Sequence, residues 1–289
     1  MRKHQVLLGI LLIFILFIMF TGGIYLITWL SKDDKRMSFG DKVAVVEIKG
    51  IIIDSRNIIE QIIKYRKNNS VKALVLRIDT PGGAVGPSQE IYQEVLKTKK
   101  EKKVVASMGT VAASGGYYIA CGVDKIIANP GTITGSIGVK MEFGNVEELL
   151  KKIGLKGGIV KSGKYKDIGS PLRDMSKDER ELIQGVVDDI YWQFVDAIVL
   201  NRKLPKEKVV SIADGRFFSG SQAKKYGLVD ELGNLQDSII IAANISGIKG
   251  EPDVIYPEKK KINFLDTFME EAMTMLEKKI YEKMISITY

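Results

Sequence analysis

The sequence predicts an α/β fold, a layered sheet with crossover helices, preceded by one apolar N-terminal helix. Three observations predict it. β-Branched, nearly continuous apolar runs recur at 43–53, 73–79, 103–108 and 124–129, the pattern of strands buried on both faces. Glycine-rich turns and helix-spaced segments separate those runs, as crossover units require. Ahead of them, residues 6–30 form 25 positions without a charge.

At ~1.5 Å per helical residue that stretch is long enough to cross a hydrocarbon layer of ~30 Å. It follows a short tail, residues 1–5, and reads as a retained transmembrane anchor. A cleaved signal peptide has a shorter apolar region, and no A-x-A-like cleavage site precedes Ser31. Arg2 and Lys3 on one flank face Lys32, Lys35 and Arg36 on the other, so the positive-inside count is nearly tied and charge alone does not set the orientation. Residues 31–42 are a polar linker.

The domain at 43–250 then begins. VAVVEIKGIII (43–53) reads as one strand, and Ile58, Ile59, Ile62 and Ile63 follow at helical spacing. ALVLRID (73–79) runs into TPGGAVGP and a helix over about 88–99, KVVASM (103–108) leads through Gly109 into a small-residue segment, and DKIIAN (124–129) supplies a further strand. GGIVKSG, residues 157–163, is strand-like. Ser176 with Glu179 forms a capping box opening a helix to about Arg202, with Leu182, Val186, Ile190, Phe194 and Ile198 as its core stripe. A second box, Ser219 with Gln222, starts a short helix ended by Gly227, and another helix covers roughly 234–246. Residues 251–289 form a C-terminal extension whose segment 262–289 is amphipathic, suited to docking on its own domain or on a sister subunit.

Composition limits the chemistry. Net charge is +8, of which residues 1–36 hold five Lys/Arg against two Asp/Glu. The remaining excess is modest and lacks the clustered, aromatic-interleaved pattern of a nucleic-acid site. Cys121 is the sole cysteine, so neither an intrachain disulfide nor a thiol-rich metal site can form. The sole histidine is His4, ahead of the apolar run, which excludes a Ser-His-Asp hydrolase.

A nucleophile is nevertheless indicated. GTVAASGGYYIAC, residues 109–121, places Ser114 among Ala112, Ala113, Gly115 and Gly116, between a strand and a helix, the small-residue setting that an exposed nucleophile at such a turn requires. There, free N–H groups favour developing negative charge. Gly115 can offer one donor, and the turn DTPGG (79–83) a second, from either Gly82 or Gly83. Some other base is needed, and a lysine can serve if the site keeps it neutral, which means lowering an ammonium from ~10.4 to about 7 at a cost near 4 kcal/mol in a dry pocket. KSGKYKDIGSP, residues 161–171, supplies Lys161, Lys164 and Lys166, and spacing does not choose among them.

ALVLRIDTPGG, VASMGTVAASGGYYIAC, TGSIGV and KSGKYKDIGSP, in this order across most of residues 43–245, resemble the signal peptide peptidase A family, also called protease IV, in its short single-repeat form. The resemblance implies a Clp protease/crotonase fold. It implies Ser114 as nucleophile, Lys166 as general base and acid, Ser136 of TGSIGV as the hydroxyl that orients the lysine, and Gly83 and Gly115 as oxyanion donors, with Lys161 and Lys164 as bystanders. It further implies a membrane-anchored endopeptidase acting on remnant signal peptides and other hydrophobic segments, with no cofactor. By the same resemblance, residues 6–30 are expected to contact membrane lipid, the catalytic domain to lie outside the cytoplasmic membrane, and a homo-oligomeric ring to complete active sites between neighbours.

Three rivals differ in what they require. A stomatin-cleaving membrane protease shares the Ser-Lys arrangement, but TGSIGV and the Tyr-Lys-Asp segment favour protease IV. An inert peptide-binding scaffold has no need of both Ser114 and Lys166. A crotonase-type acyl-CoA enzyme needs no serine-lysine pair, and the chain has neither G-x-x-x-x-G-K-[ST] nor G-x-G-x-x-G.

Overall fold

The computed structural model describes residues 15–23 and 40–256. The chain divides into two compact units, Met1–Asp41 and Lys42–Tyr289. In the first, residues 15–23 are helical and carry exposed apolar side chains from Ile15 to Phe20. The rest of the expected anchor, 6–14 and 24–30, lies outside the described residues, as does the tail at 262–289. Among the described residues no helix is long and apolar enough to cross a membrane.

Among the described residues, the second unit is built on a mixed sheet of eight strands. β1 (Lys42–Lys49), β2 (Val71–Thr80) and β3 (Lys103–Ala113) form its parallel centre. β4 (Lys125–Ala128) and β5 (Ile133–Gly135) both pair in parallel with β3, at its middle and its C-terminal end respectively. β6 (Phe217–Ser219) adds antiparallel to β5, β7 (Glu231–Leu232) parallel to β4, and β8 (Asp253–Ile255) parallel to β1. Between strands run α1 (Arg56–Lys67), α2 (Val85–Lys99) and α3 (Gly115–Ala120). α4 (Glu147–Lys152), α5 (Lys177–Arg202), α6 (Lys206–Val210), α7 (Gly220–Tyr226) and α8 (Leu235–Ile245) follow.

The apolar runs are continuous because both sheet faces are covered. Side chains alternate across a strand, so Ala44, Val46, Ile48, Leu74, Leu76 and Ile78 enter the larger core, with Ile62, Ile91, Tyr117 and Phe194 of the helices. Val43, Val45, Ala73, Val75 and Val105 enter the other, against Ile239, Ala242 and Ala243 of α8. Each of the Val, Leu, Ile and Phe side chains among them contributes roughly 1.5–3 kcal/mol on burial. These strands therefore fix the carboxyl ends of β2 and β3 side by side, and the loops that leave those ends build the site.

Four expectations are corrected. The run 43–53 is not one strand: β1 stops at Lys49, Gly50 turns the chain at φ 70°, and Ile51 and Ile53 are exposed while Ile52 makes a single bridge to Gly83. Residues 157–163 form no strand, since no neighbour offers them a ladder and Val160 stands in solvent. The helix starting at Ser176 has its predicted capping box, but only the second half of its stripe is core. Phe194 and Ile198 are buried whereas Leu182 and Val186 are about half exposed, at 47% and 48%, because the buried core reaches α5 only from Phe194 to Ile198. The helix expected from about 88 begins three residues earlier, at Val85.

Candidate active site

Ser114 sits where β3 ends and α3 begins, with φ 51° and ψ −121°, a conformation that L residues with a side chain rarely adopt and that marks functional turns. The neighbouring strand holds it there. β5 pairs Gly135 with Ala113, and the Ser114 N–H donates to the Gly135 carbonyl at 2.9 Å, while the Ser114 carbonyl accepts the Tyr118 N–H at 2.9 Å. Small neighbours are obligatory. A Cβ on Gly115 would lie 2.5 Å from the Ser88 hydroxyl, and one on Gly116 would lie 2.6 Å from the Thr80 methyl.

The turn after β2 comes up against this elbow. Buried Thr80 accepts the Gly82 N–H on its hydroxyl at 3.0 Å, so that donor is already engaged. Ile52 then takes both outward-facing groups of the turn: its N–H donates to the Gly82 carbonyl at 2.9 Å and its carbonyl accepts the Ala84 N–H at 2.7 Å. In a parallel bridge of this kind the intervening residue directs its own N–H and C=O the opposite way, here away from Ile52. The Gly83 nitrogen accordingly lies 3.5 Å from the point where a Cβ on Gly115 would be. Its N–H has no partner among the described residues, and neither has that of Gly115. Gly83 also has no room for a side chain, since its Cβ would fall 2.1 Å from the Ile52 carbonyl oxygen.

Ser136 follows Gly135 directly, at φ 49°, its N–H held by the Arg216 carbonyl at 2.8 Å. Two residues on, Gly138 and Val139 join Gly83, Val85, Ser88, Gln89, Ser114, Gly115, Tyr118, Ile190 and Phe194 around a cavity of ≈ 40 Å³. Four of the five sequence-predicted residues, Ser114, Ser136, Gly83 and Gly115, are thus brought to one end of the sheet.

Lys166 is not brought there within this chain. It lies exposed in the turns at 163–169, its N–H donating to the Gly163 carbonyl at 3.1 Å, and it does not line the Ser114 cavity. Its neighbours are committed elsewhere. Lys164 pairs with Asp178 at 2.7 Å, and that hydrogen bond pushes its ammonium up to about 12, the reverse of what a neutral base needs. Lys161 pairs with Asp167. Asp167 also accepts from Arg173 Nε at 2.9 Å, and Arg173 in turn grips Glu179 of the α5 capping box. The lysine turn is therefore tied to the start of α5. Burial pushes the Cys121 thiol up to about 12, so the sole cysteine is inert near neutral pH. Among the described residues no cluster of His, Cys, Asp or Glu could hold a metal ion.

Sequence reasoning missed Thr80, Gln89 and Tyr118. Thr80 stands inside the quoted DTPGG motif, but only the fold reveals that its hydroxyl takes one glycine N–H and spares the next.

Residues 96–249 match Peptidase family S49, and residues 45–132 match the Clp protease family. A protein of Synechocystis sp., provisionally named a protease, is 42% identical over 240 residues, 82% of this chain and 87% of its own length. A protein of Enterococcus faecium provisionally named signal peptide peptidase SppA is 35% identical over 212 residues, 68% of this chain and 62% of its own. Among solved structures, a membrane-bound stomatin-specific protease superposes with a TM-score of 0.52 at 18% identity, covering 76% of this chain and 99% of that one. That likeness concerns the fold.

Proposed function

Because the chain belongs to Peptidase family S49, a family of serine proteases, we propose that it is a membrane-anchored endopeptidase in which Ser114 and Lys166 hydrolyse signal-peptide remnants and other hydrophobic segments. The observation that carries this reading is the convergence, beside a strained serine, of two backbone N–H groups without partners among the described residues, those of Gly83 and Gly115.

Neutral Lys166 removes the Ser114 hydroxyl proton as Oγ attacks the scissile carbonyl carbon. The carbonyl oxygen becomes the oxyanion and accepts from Gly83 and Gly115. The Lys166 ammonium returns its proton to the leaving amine as the C–N bond breaks, giving an acyl-enzyme. The same amine then takes a proton from water, whose oxygen attacks the ester, and gives it back to Ser114. Ser136 holds the lysine's orientation by a hydrogen bond. Since Lys166 does not line the Ser114 cavity of its own chain, the lysine that serves each serine comes from a neighbouring subunit of a ring. Residues 6–30 anchor the ring in the membrane, and the catalytic domain expected at 43–250, whose sheet also takes in β8 of the C-terminal segment, lies on the extracytoplasmic side.

Coexpression tests the arrangement. Ser114→Ala and Lys166→Ala chains are each inactive on a signal-peptide substrate, and random co-assembly pairs an intact serine with an intact neighbouring lysine at about a quarter of sites. Recovery to that level supports the reading; mixed oligomers without activity contradict the shared site.

A further inference from the structure

Two cavities meet at one wall. The cavity at Ser114 measures ≈ 40 Å³ and is lined mainly by apolar groups of Val85, Tyr118, Val139, Ile190 and Phe194. Outside it, between α2 and α5, runs an open groove of ≈ 870 Å³ whose lining includes Ile59, Tyr92, Ala197 and Leu200. Gln89 and Tyr118 border both spaces.

The wall is built differently on its two sides. Tyr118 is clamped by rings, with centroids 4.7 Å from Tyr92 and 5.0 Å from Phe194. Gln89 is held by a polar bond: its Nε2 donates to Gln193 Oε1 across the gap to α5 at 2.7 Å, and Gln193 is steadied by Asp189 at 2.8 Å. A flexible side chain that would otherwise wander is thereby fixed across the passage from the small cavity to the groove.

We infer that Gln89 is a specificity-determining residue that closes the floor of the pocket beside Ser114 and restricts cleavage to bonds following small apolar residues. The inference rests on the reading of Ser114 as nucleophile, whose acyl side chain has this pocket as its nearest apolar space. At ~10–15 Å³ for each water-sized group, the pocket holds about three such groups, the size of an alanine or valine side chain. A phenylalanine ring does not fit unless the floor opens. Without the Gln89 amide the pocket joins the groove, where a ring or long aliphatic chain finds Tyr92 and Ala197.

The test compares full-length wild type, Gln89→Ala, Gln193→Ala and Ser114→Ala on peptides identical except for Ala, Val, Leu or Phe before the scissile bond. Wild type favours Ala and Val. Gln89→Ala raises the Phe-to-Val ratio of kcat/KM by about tenfold or more, the scale of discrimination in an apolar pocket, and Gln193→Ala, which removes only the latch, raises it by a smaller factor. A Phe-to-Val ratio within about twofold of wild type in both variants, with Val still cleaved, overturns the inference. Should Gln89→Ala fail to fold, Gln193→Ala, at an exposed position on α5, decides alone. Cleavage surviving in Ser114→Ala contradicts the reading of the nucleophile instead, so the two failures are distinguishable.

Discussion

The Thr80 hydroxyl accepts the Gly82 N–H at 3.0 Å, and this one bond distinguishes two adjacent glycines that the sequence leaves equivalent. It holds the turn so that the unpartnered donor beside Ser114 is that of Gly83. Thr80→Val keeps the shape and the methyl contact with Gly116 but removes the acceptor, leaving a buried N–H without a partner at about 1–3 kcal/mol. A melting temperature lower by several degrees is expected, together with a fall in kcat larger than any change in KM. Calorimetry and steady-state kinetics on the same preparation check both.

Gly83→Ala is the harsher substitution. The new Cβ falls 2.1 Å from the Ile52 carbonyl, a backbone atom that cannot swing aside. Destabilisation of about 3 kcal/mol or more is expected, with activity lost. Gly86→Ala, where nothing lies within 4 Å of the added carbon, is the matched control and leaves the denaturation midpoint near wild type.

The three lysines of the 161–171 segment make unequal contributions. Lys166→Ala lowers kcat/KM by roughly 10²–10⁴-fold, the usual value of a general base. Lys164→Ala and Lys161→Ala, which remove exposed or partly exposed ion pairs, leave it within about threefold. Because the proposed base must be uncharged to take the serine proton, the wild-type rate rises from acid toward alkaline pH. Equal losses in the three variants, or a flat profile from about pH 6 to 10, contradict the assignment.

Arg173 joins Asp167, next to Lys166, to Glu179 at the start of α5. Its guanidinium holds the Asp167 carboxyl well below the usual carboxylate range and Glu179 down to about 2. Both groups titrate lower folded than unfolded, so their stabilisation is complete above the unfolded values near 4 and is lost as pH falls toward 2. The protection factor against hydrogen exchange in the turns at 163–169, with the intrinsic pH dependence of exchange divided out, is therefore steady at neutral pH and falls steeply with acid. Arg173→Met moves that fall to higher pH; an unchanged profile contradicts the role of the pair.

The central sheet is legible in the sequence because β2 and β3 are buried on both faces and leave unbroken β-branched runs. The end of β1 is less so: Gly50 interrupts an isoleucine run whose composition continues past it, and only the bridge from Ile52 to Gly83 explains why Ile52 alone is buried. Helical periodicity located α5 but gave its stripe no partner, which is why Leu182 and Val186 read as core and stand half exposed. Residues 157–163 have strand-forming types and no strand to pair with. At the site, Ser114 and Gly115 are legible from their small neighbours, whereas the donor on the facing turn depends on Thr80. The floor of the pocket depends on Gln89 meeting Gln193, a residue 104 positions away that no local pattern links to it.

A fluorophosphonate adduct, mapped by mass spectrometry after proteolysis of the full-length protein, tests most directly the claim that Ser114 is a nucleophile activated by Lys166. One adduct on the peptide containing Ser114 is expected in wild type, none in Ser114→Ala, and labelling slowed by roughly 10²-fold or more in Lys166→Ala. An adduct on another residue, or wild-type labelling rates without the lysine, contradicts it.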